Sequence, residues 1–156
     1  MRQGLTNRRG LGVRLAETLY LAWLAEAQGK AGRVEEGLAT LTTGMATVNE
    51  TGEHINEAEL YRLKGILTLQ FKVQSPKSKV EEAAEECFWK ALEIARRQEA
   101  KSLELRAAMS LARLWRQQGK NKEAHQRLAE IYGWFTEGFE TFDLKEAKTL
   151  LEELSN

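Results

Sequence analysis

Apolar residues recur along most of the chain at spacings of three and four residues, the pattern of a helix with one buried face. Leu21, Leu24 and Ala25 show this spacing near the start of the chain. Ala, Leu, Glu, Lys and Arg are abundant and there is one proline, a composition that favours helix because unbranched side chains lose little rotamer freedom there. We predict no strand and six helices, at residues 13–30, 33–51, 55–72, 79–99, 102–118 and 121–136.

These helices form three pairs that share a pattern of small residues. The first and third pairs align without a gap at a shift of 87 residues, which places Ala25, Gly32, Gly37 and Leu41 on Ala112, Gly119, Ala124 and Leu128. The second pair carries Tyr61, Gly65, Ala84, Phe88 and Ala91. Antiparallel helices approach closely only where side chains are small, so each pair is predicted to be a helical hairpin, made of a helix A and a helix B. Gly32 and Gly119 supply the positive φ that a helix C-terminal turn needs.

The second hairpin contains an insertion. Gly65 lies 40 residues after Ala25, and Ala112 lies 47 residues after Gly65. The additional seven residues fall between Gly65 and Ala84, around Lys72–Lys79, which holds the only proline of the chain. We expect this segment to be an exposed loop.

The two ends of the chain differ from the repeats. Residues 1–12 hold three Arg and three Gly without periodicity and are expected to be a flexible leader or the end of an upstream segment. Asp143–Glu146 is similar to a capping box and begins an apolar stripe, so a seventh helix at about 143–155 is expected to cover the open end of the stack. The predicted organisation is one domain over 13–156, with repeats at about 13–52, 55–99 and 102–138.

Charge and cysteine content narrow the class of function. Lys plus Arg and Asp plus Glu number 23 each, so the chain lacks the positive field of a dedicated binder of nucleic acid or anionic membrane. The single Cys87 cannot form an internal disulfide, which favours the cytoplasm. No apolar stretch approaches the roughly 20 residues that a membrane span needs.

The third repeat resembles the tetratricopeptide (TPR) pattern, with Leu111, Ala112, Trp115, Ala124 and Leu128 at its packing positions. The repeat of about 40 residues is longer than the usual 34, and Gln28 stands where an aromatic residue is usual. The resemblance implies an all-α, right-handed TPR-like superhelix of three helical hairpins plus a C-terminal capping helix.

Several segments are similar to one particular group of proteins. They resemble the C-terminal repeat region of bacterial signalling proteins, in which a class III adenylate/guanylate cyclase domain and an AAA-type predicted ATPase precede the repeats. The resemblance covers residues 13–154 and implies a regulatory role without its own catalysis, since the chain has no G-x-x-x-x-G-K-[ST] phosphate loop. The segments are Leu60–Gly65, Ala91–Gln98, Lys101–Ala108 and Tyr132–Phe139.

The resemblance also implies a binding groove along the A helices. The residues at the family's groove positions are Glu26, Lys30, Glu59, Arg62, Arg106, Met109, Arg113 and Arg116. Three of the four from the third repeat are arginines, whose forked guanidinium groups suit an acidic peptide or a C-terminal carboxylate. The alternative is that these arginines form a solvated face paired with nearby glutamates.

Candidate catalytic residues do not converge. The two histidines, His54 and His125, lie on different repeats, and no nucleophile–base pair can be assembled around Cys87, Ser102 or Ser110. Glu53 and Glu57 flank His54, but an exposed loop histidine is the simpler interpretation than a metal ligand. We therefore expect no enzyme, no metal and no cofactor.

Aromatic residues cluster in the second half of the chain. Their helical spacing favours core packing over an aromatic ligand site. The stretch Tyr132–Phe142 is the exception, because Gly133 and Gly138 interrupt the helix; it is either a bend that plugs the last hairpin or an exposed docking patch. The aromatic residues in question are Phe88, Trp89, Trp115, Trp134, Phe135, Phe139 and Phe142.

The expected function is a non-catalytic protein–protein interaction module that grips a peptide or a partner domain in the groove of the A helices. Its expected partners are a protein or peptide, or the upstream ATPase and cyclase domains of its parent protein. The alternative is a structural module that packs on its own parent or self-associates as a homodimer.

Overall fold

The computed structural model describes residues 2–71 and 76–156. These residues form seven helices and contain no strand, which confirms the all-α prediction. The helices are α1 (Arg2–Lys30), α2 (Val34–Thr51), α3 (Glu57–Gln70), α4 (Lys77–Arg97), α5 (Lys101–Gln117), α6 (Asn121–Tyr132) and α7 (Phe142–Leu154).

The helices stack in two layers. Each helix packs on the next one in the chain, and each odd-numbered helix also contacts the next odd-numbered helix, as in α1 with α3, α3 with α5 and α5 with α7. Among the described residues, even-numbered helices do not contact one another. The odd-numbered helices, which are the predicted A helices followed by α7, therefore form one continuous layer, and α2, α4 and α6 cover it on the other side.

The small residues that align when the first hairpin is shifted by 87 residues onto the third lie at the contact between the two helices of each hairpin. Ala25, Ala112 and Ala124 are fully buried, and Gly37 is buried as well. A methyl group on Gly37 would lie 2.7 Å from Cδ1 of Leu67, so the glycine lets the second hairpin approach the first.

The turns of these two hairpins are equivalent. Gly32 and Gly119 have φ values of +77° and +78°. In both turns, the residue after this glycine donates its backbone N–H to a carbonyl five residues earlier, Arg33 to Gln28 and Lys120 to Trp115. This is the hydrogen bond of a Schellman turn, which ends a helix at a residue with positive φ.

The apolar interior consists of two main clusters. One joins α1, α2 and α3 through residues that include Ala22, Leu41 and Leu63. The other joins α4, α5, α6 and α7, with Phe88 and Leu111 at its centre. Phe88 of α4 also packs against Gly65 of α3, so the second hairpin closes in the same way as the other two.

Two predicted boundaries near the insertion and the N-terminus differ from the structure. Residues 2–12, expected to be a flexible leader or the end of an upstream segment, are helical and belong to α1, although Gly4, Gly10 and Gly12 disfavour helix. Residues 72–75 of the predicted loop lie outside the described residues. Lys77–Lys79 belong to the first turn of α4, since Pro76 has a fixed φ and suits the residue that precedes a helix.

The C-terminal boundaries also shift. Helix α6 ends at Tyr132, four residues earlier than predicted, and residues 133–141 form turns with a positive φ at Gly138. Helix α7 begins at Phe142, and its N-cap Thr141 makes no side-chain capping hydrogen bond, so the predicted capping box does not form. Asp143 instead binds a residue of α5, as described below.

Candidate functional site

The layer of odd-numbered helices carries a ladder of opposite charges. On α1, Lys30 Nζ lies 2.9 Å from Glu26 Oε1, and both side chains are open to solvent. On α3, Arg62 forms a two-bond contact with Glu59, at 2.9 Å from Nε and 2.6 Å from Nη2. Arg106 of α5 reaches the same carboxylate at 3.1 Å. The ladder thus joins neighbouring A helices of the second and third repeats.

Glu59 is the most constrained group of this ladder, because only 11% of its side chain and of that of Arg62 is exposed. Burial by itself raises the pKa of Glu59, but the hydrogen bonds from Arg62 and the charges of Arg62 and Arg106 together hold it below its ordinary value. Burial by itself lowers the pKa of Arg62. The hydrogen bonds to Glu59 and the charge of Glu59 have a larger, opposite effect, so the pKa of Arg62 is raised above its ordinary value. The pair stays ionised, and Glu59 and Arg62 serve each other rather than a ligand.

Helix α7 extends the ladder to the three arginines of α5. Arg106 Nε lies 3.1 Å from Asp143 Oδ2, and Arg113 Nη2 donates to Glu146 Oε1 at 2.7 Å. Arg116 pairs with Glu153. The carboxylates that the sequence prediction assigned to an acidic partner are therefore supplied by the chain itself, which favours the interpretation of these arginines as a face paired with nearby acidic residues.

One predicted groove residue is not on the surface. Met109 is only 2% exposed and belongs to the apolar cluster of α4, α5, α6 and α7. Its position on α5 faces the interior because both sides of an A helix in the middle of the stack are covered, which the family pattern alone does not indicate. Met109 is therefore corrected from a groove residue to a core residue.

An apolar slot lies between α3 and α5, beside the charge ladder. It encloses about 380 Å³, and Ile66, Leu69 and Leu114 form its apolar wall. Ile66 and Leu69 are partly exposed. The side-chain amides of Gln70 and Gln117 stand at its edge, and neither makes a hydrogen bond to another described residue. Sequence reasoning missed this slot because Ile66 and Leu69 match ordinary core spacing, and they do pack against the core; only the stacking of α3 on α5 leaves them partly exposed.

The other candidate chemical groups are isolated from one another. His54 Nδ1 lies 2.8 Å from Glu57 Oε2, and in the part of the chain that the structure describes no three His, Cys, Asp or Glu residues are placed to hold a metal ion. His125 is partly exposed on α6. Cys87 is half-buried, and burial, opposed in part by the charge of Lys64, raises the pKa of its thiol, which disfavours the reactive thiolate.

The predicted aromatic core is only partly present. Phe88 is fully buried, but Trp89, Trp134 and Phe139 are about 40% exposed, and Phe142 is 77% exposed. Within residues 132–142, Tyr132 and Phe135 pack against the apolar cluster of α4, α5, α6 and α7, whereas the turns at 133–141 leave Trp134 and Phe139 partly exposed. Lys101 also contacts this stretch, with its Nζ 3.6 Å from the ring centroid of Trp134.

Trp89 and Trp115 form a separate pair on the outer side of α4 and α5. Their ring centroids are 6.0 Å apart, and Trp115 donates its indole N–H to Glu85 at 3.0 Å. The guanidinium of Arg127 stands 5.3 Å from the Trp89 ring. Through these contacts, both indoles pack between the second and third hairpins.

Comparison with known proteins does not identify the chain: no model of a protein family matches its sequence, and no curated protein does. Of the helices that the structure describes, none combines the length and the apolar character needed to cross a membrane.

Proposed function

We propose that this chain is a non-catalytic, TPR-like protein-interaction module, in which the hairpins follow a right-handed superhelix and the layer of odd-numbered helices binds a partner segment. The observation that carries this proposal is the slot between α3 and α5, where apolar walls lie next to the side-chain amides of Gln70 and Gln117. Such a combination suits an extended peptide, whose apolar side chain enters the slot while its backbone meets polar groups at the edge.

The charge ladder refines the chemistry of the partner. An acidic peptide would have to displace Asp143, Glu146 and Glu153 from the arginines of α5, and these pairs are held on a helix that is itself packed into the core. The partner proposed here is therefore an uncharged segment with an apolar anchor. The pairing of the ionisable groups with one another also supports the absence of catalysis.

The place of the module in the cell follows from the family resemblance. We propose that it acts in the cytoplasm as the regulatory tail of a multidomain bacterial signalling ATPase or cyclase and conveys partner binding to those domains. The alternative role, self-association, is favoured by one specific observation, the exposed aromatic residues of α1, and is developed below.

The groove proposal can be tested with peptides selected on the full chain from a random peptide library and measured by fluorescence anisotropy. Leu69→Glu should weaken the selected peptides by at least about 10-fold, because it places a charge in an apolar slot. Gln126→Glu, which adds the same charge on the exposed side of α6, is the matched control and should leave affinity unchanged. Undiminished binding to a folded Leu69→Glu protein would place the site elsewhere.

A further inference from the structure

The outer face of α1 carries two large aromatic residues that are exposed to solvent. Tyr20 is 60% exposed and Trp23 is 62% exposed. Ala16 and Ala27 are exposed on the same face, since residues at spacings of four, three and four lie one above another on a helix. The opposite face of α1 is buried, so this exposed face points away from the rest of the stack.

The equivalent face is buried in the other A helices. A shift of 40 residues, the spacing of the first two repeats, takes Tyr20, Trp23 and Ala27 to three leucines of α3 that are at most 2% exposed, namely Leu60, Leu63 and Leu67. These leucines pack on the first hairpin. A shift of 87 residues leads to α5 positions that are at most 5% exposed, namely Ala107, Ser110 and Leu114. In α3 and α5 this face of the helix is thus used for packing between helices.

We propose that this face of α1 is a homodimer interface, on which α1 of a second copy packs in the antiparallel direction. The order small, large, large, small from Ala16 to Ala27 reads the same in both directions, as an interface built from one patch on both subunits requires. A two-fold axis between residues 21 and 22 places Tyr20 against Trp23 of the partner subunit and Ala16 against Ala27 of the partner subunit. The alanines let the two helices approach, and the aromatic rings pack at the centre.

The charged residues beside the patch are compatible with this arrangement. None of the four residues is charged, and Glu26 at the edge is already paired with Lys30. With a rise of 1.5 Å per residue, the two copies of Glu17 would be offset along the helices by about 13 Å. That exceeds the Debye length of about 8 Å at physiological salt, so their repulsion is largely screened.

The size of the patch sets the strength of the expected dimer. Each aromatic side chain offers roughly 100–150 Å² of uncovered surface, whereas weak specific interfaces bury about 500–600 Å² per partner. The contact must therefore continue along α1. Because this helix ends at Lys30, an axis between residues 21 and 22 lets the two copies overlap over residues 13–30, a length of about 27 Å. A dimer with a dissociation constant of about 1–100 µM is expected from an interface at this lower limit of size.

Sedimentation equilibrium of the full chain at concentrations from about 1 to 300 µM tests the proposal. The mean mass should rise from that of the 17.7 kDa monomer toward twice that value. Trp23→Asp should weaken the dimer at least about 10-fold, because it puts a charge at the centre of the interface. Phe142→Asp, which replaces an even more exposed aromatic residue at the other end of the stack, should not. A monomer over the whole range, or a dimer that is equally tight with Trp23→Asp, would overturn the proposal.

A crosslinking experiment tests the direction of packing with substitutions that do not disturb the fold. In a Cys87→Ser background, chains with Ala16→Cys are mixed with chains carrying Ala27→Cys and oxidised. The antiparallel arrangement predicts that mixed disulfide dimers form faster than either self-paired dimer, while preferential self-pairing would refute it. Neither experiment contains a peptide ligand, so its outcome is separate from that of the groove proposal.

Discussion

Gly65 shows how one residue permits a whole hairpin to close. It lies on the buried face of α3, where a methyl group would stand 2.5 Å from Cε1 of Phe88. The Phe88 ring is completely buried between α3 and α5. Because the ring is rigid and the helices around it are closely packed, a methyl group at this position forces the ring or one of the helices to shift.

We expect Gly65→Ala to lower the free energy of unfolding by about 1–2 kcal/mol, since overpacking outweighs the gain in helix propensity. Urea denaturation followed by circular dichroism measures this change. In the Gly65→Ala background, Phe88→Leu should cost less than it does in the unmodified protein, because the smaller side chain relieves the clash. Equal costs of Phe88→Leu in the two backgrounds would show that the two residues are not coupled.

At the scale of the helix, α5 and α7 are joined by ion pairs in addition to their apolar contact. Arg113 and Glu146 are each about 40% exposed, so solvent screens their pair and its contribution is small, about 0.5–1 kcal/mol. The pairs set which residues of α7 face α5 more than they stabilise the fold.

A charge reversal tests this pairing. Arg113→Glu should lower the free energy of unfolding by about 1 kcal/mol, because it places two carboxylates next to each other. The double variant Arg113→Glu with Glu146→Arg should recover most of the loss, and the loss should shrink in 1 M salt. Lys148→Glu, an equal charge change on the exposed side of α7, is the control and should have little effect. Absence of recovery in the double variant would contradict the pairing.

At the scale of the whole molecule, α7 covers the C-terminal end of the stack of helices. Leu144, Ala147, Leu150 and Leu154 are buried in the cluster that also contains Ile131 of α6. Without this helix, the outer face of the third hairpin would be exposed to water. The position of α7, next to α5 in the layer of A helices, is that of the first helix of a further repeat.

We therefore expect a chain that ends at Glu140 to melt at a lower temperature than the full chain and to aggregate as concentration rises. The loss of stability should exceed that of Leu150→Ala, which removes one buried side chain at a cost of about 2–4 kcal/mol. Circular dichroism melting and light scattering measure both effects, and removal of Ser155 and Asn156 alone is the control. A truncated chain that melts like the full chain would mean that α7 is not a structural cap.

Six of the seven helices could be placed from the sequence to within a few residues at most boundaries, because hydrophobic spacing and glycine turns are local signals. The first helix was the exception: its N-terminal part has no apolar periodicity and contains three glycines, so local signals did not predict that residues 2–12 are helical. The candidate site was less predictable. The assignment of Glu26, Lys30 and Arg113 to a binding groove came from the family resemblance and stays a prediction. The partners of the arginines and the burial of Met109 depend on residues more than 30 positions away or on packing from both sides.

By itself, the sequence determined the all-helical class, the pairing of helices into hairpins and the positions of the close approaches, since each of these follows from the size of side chains a few residues apart. The tertiary structure decided what the surface offers. Stacking brought the carboxylates of α7 to the arginines of α5, opened the slot between α3 and α5, and left Tyr20 and Trp23 uncovered. Those outcomes depend on which helix lies beside which, a property that no single helix encodes.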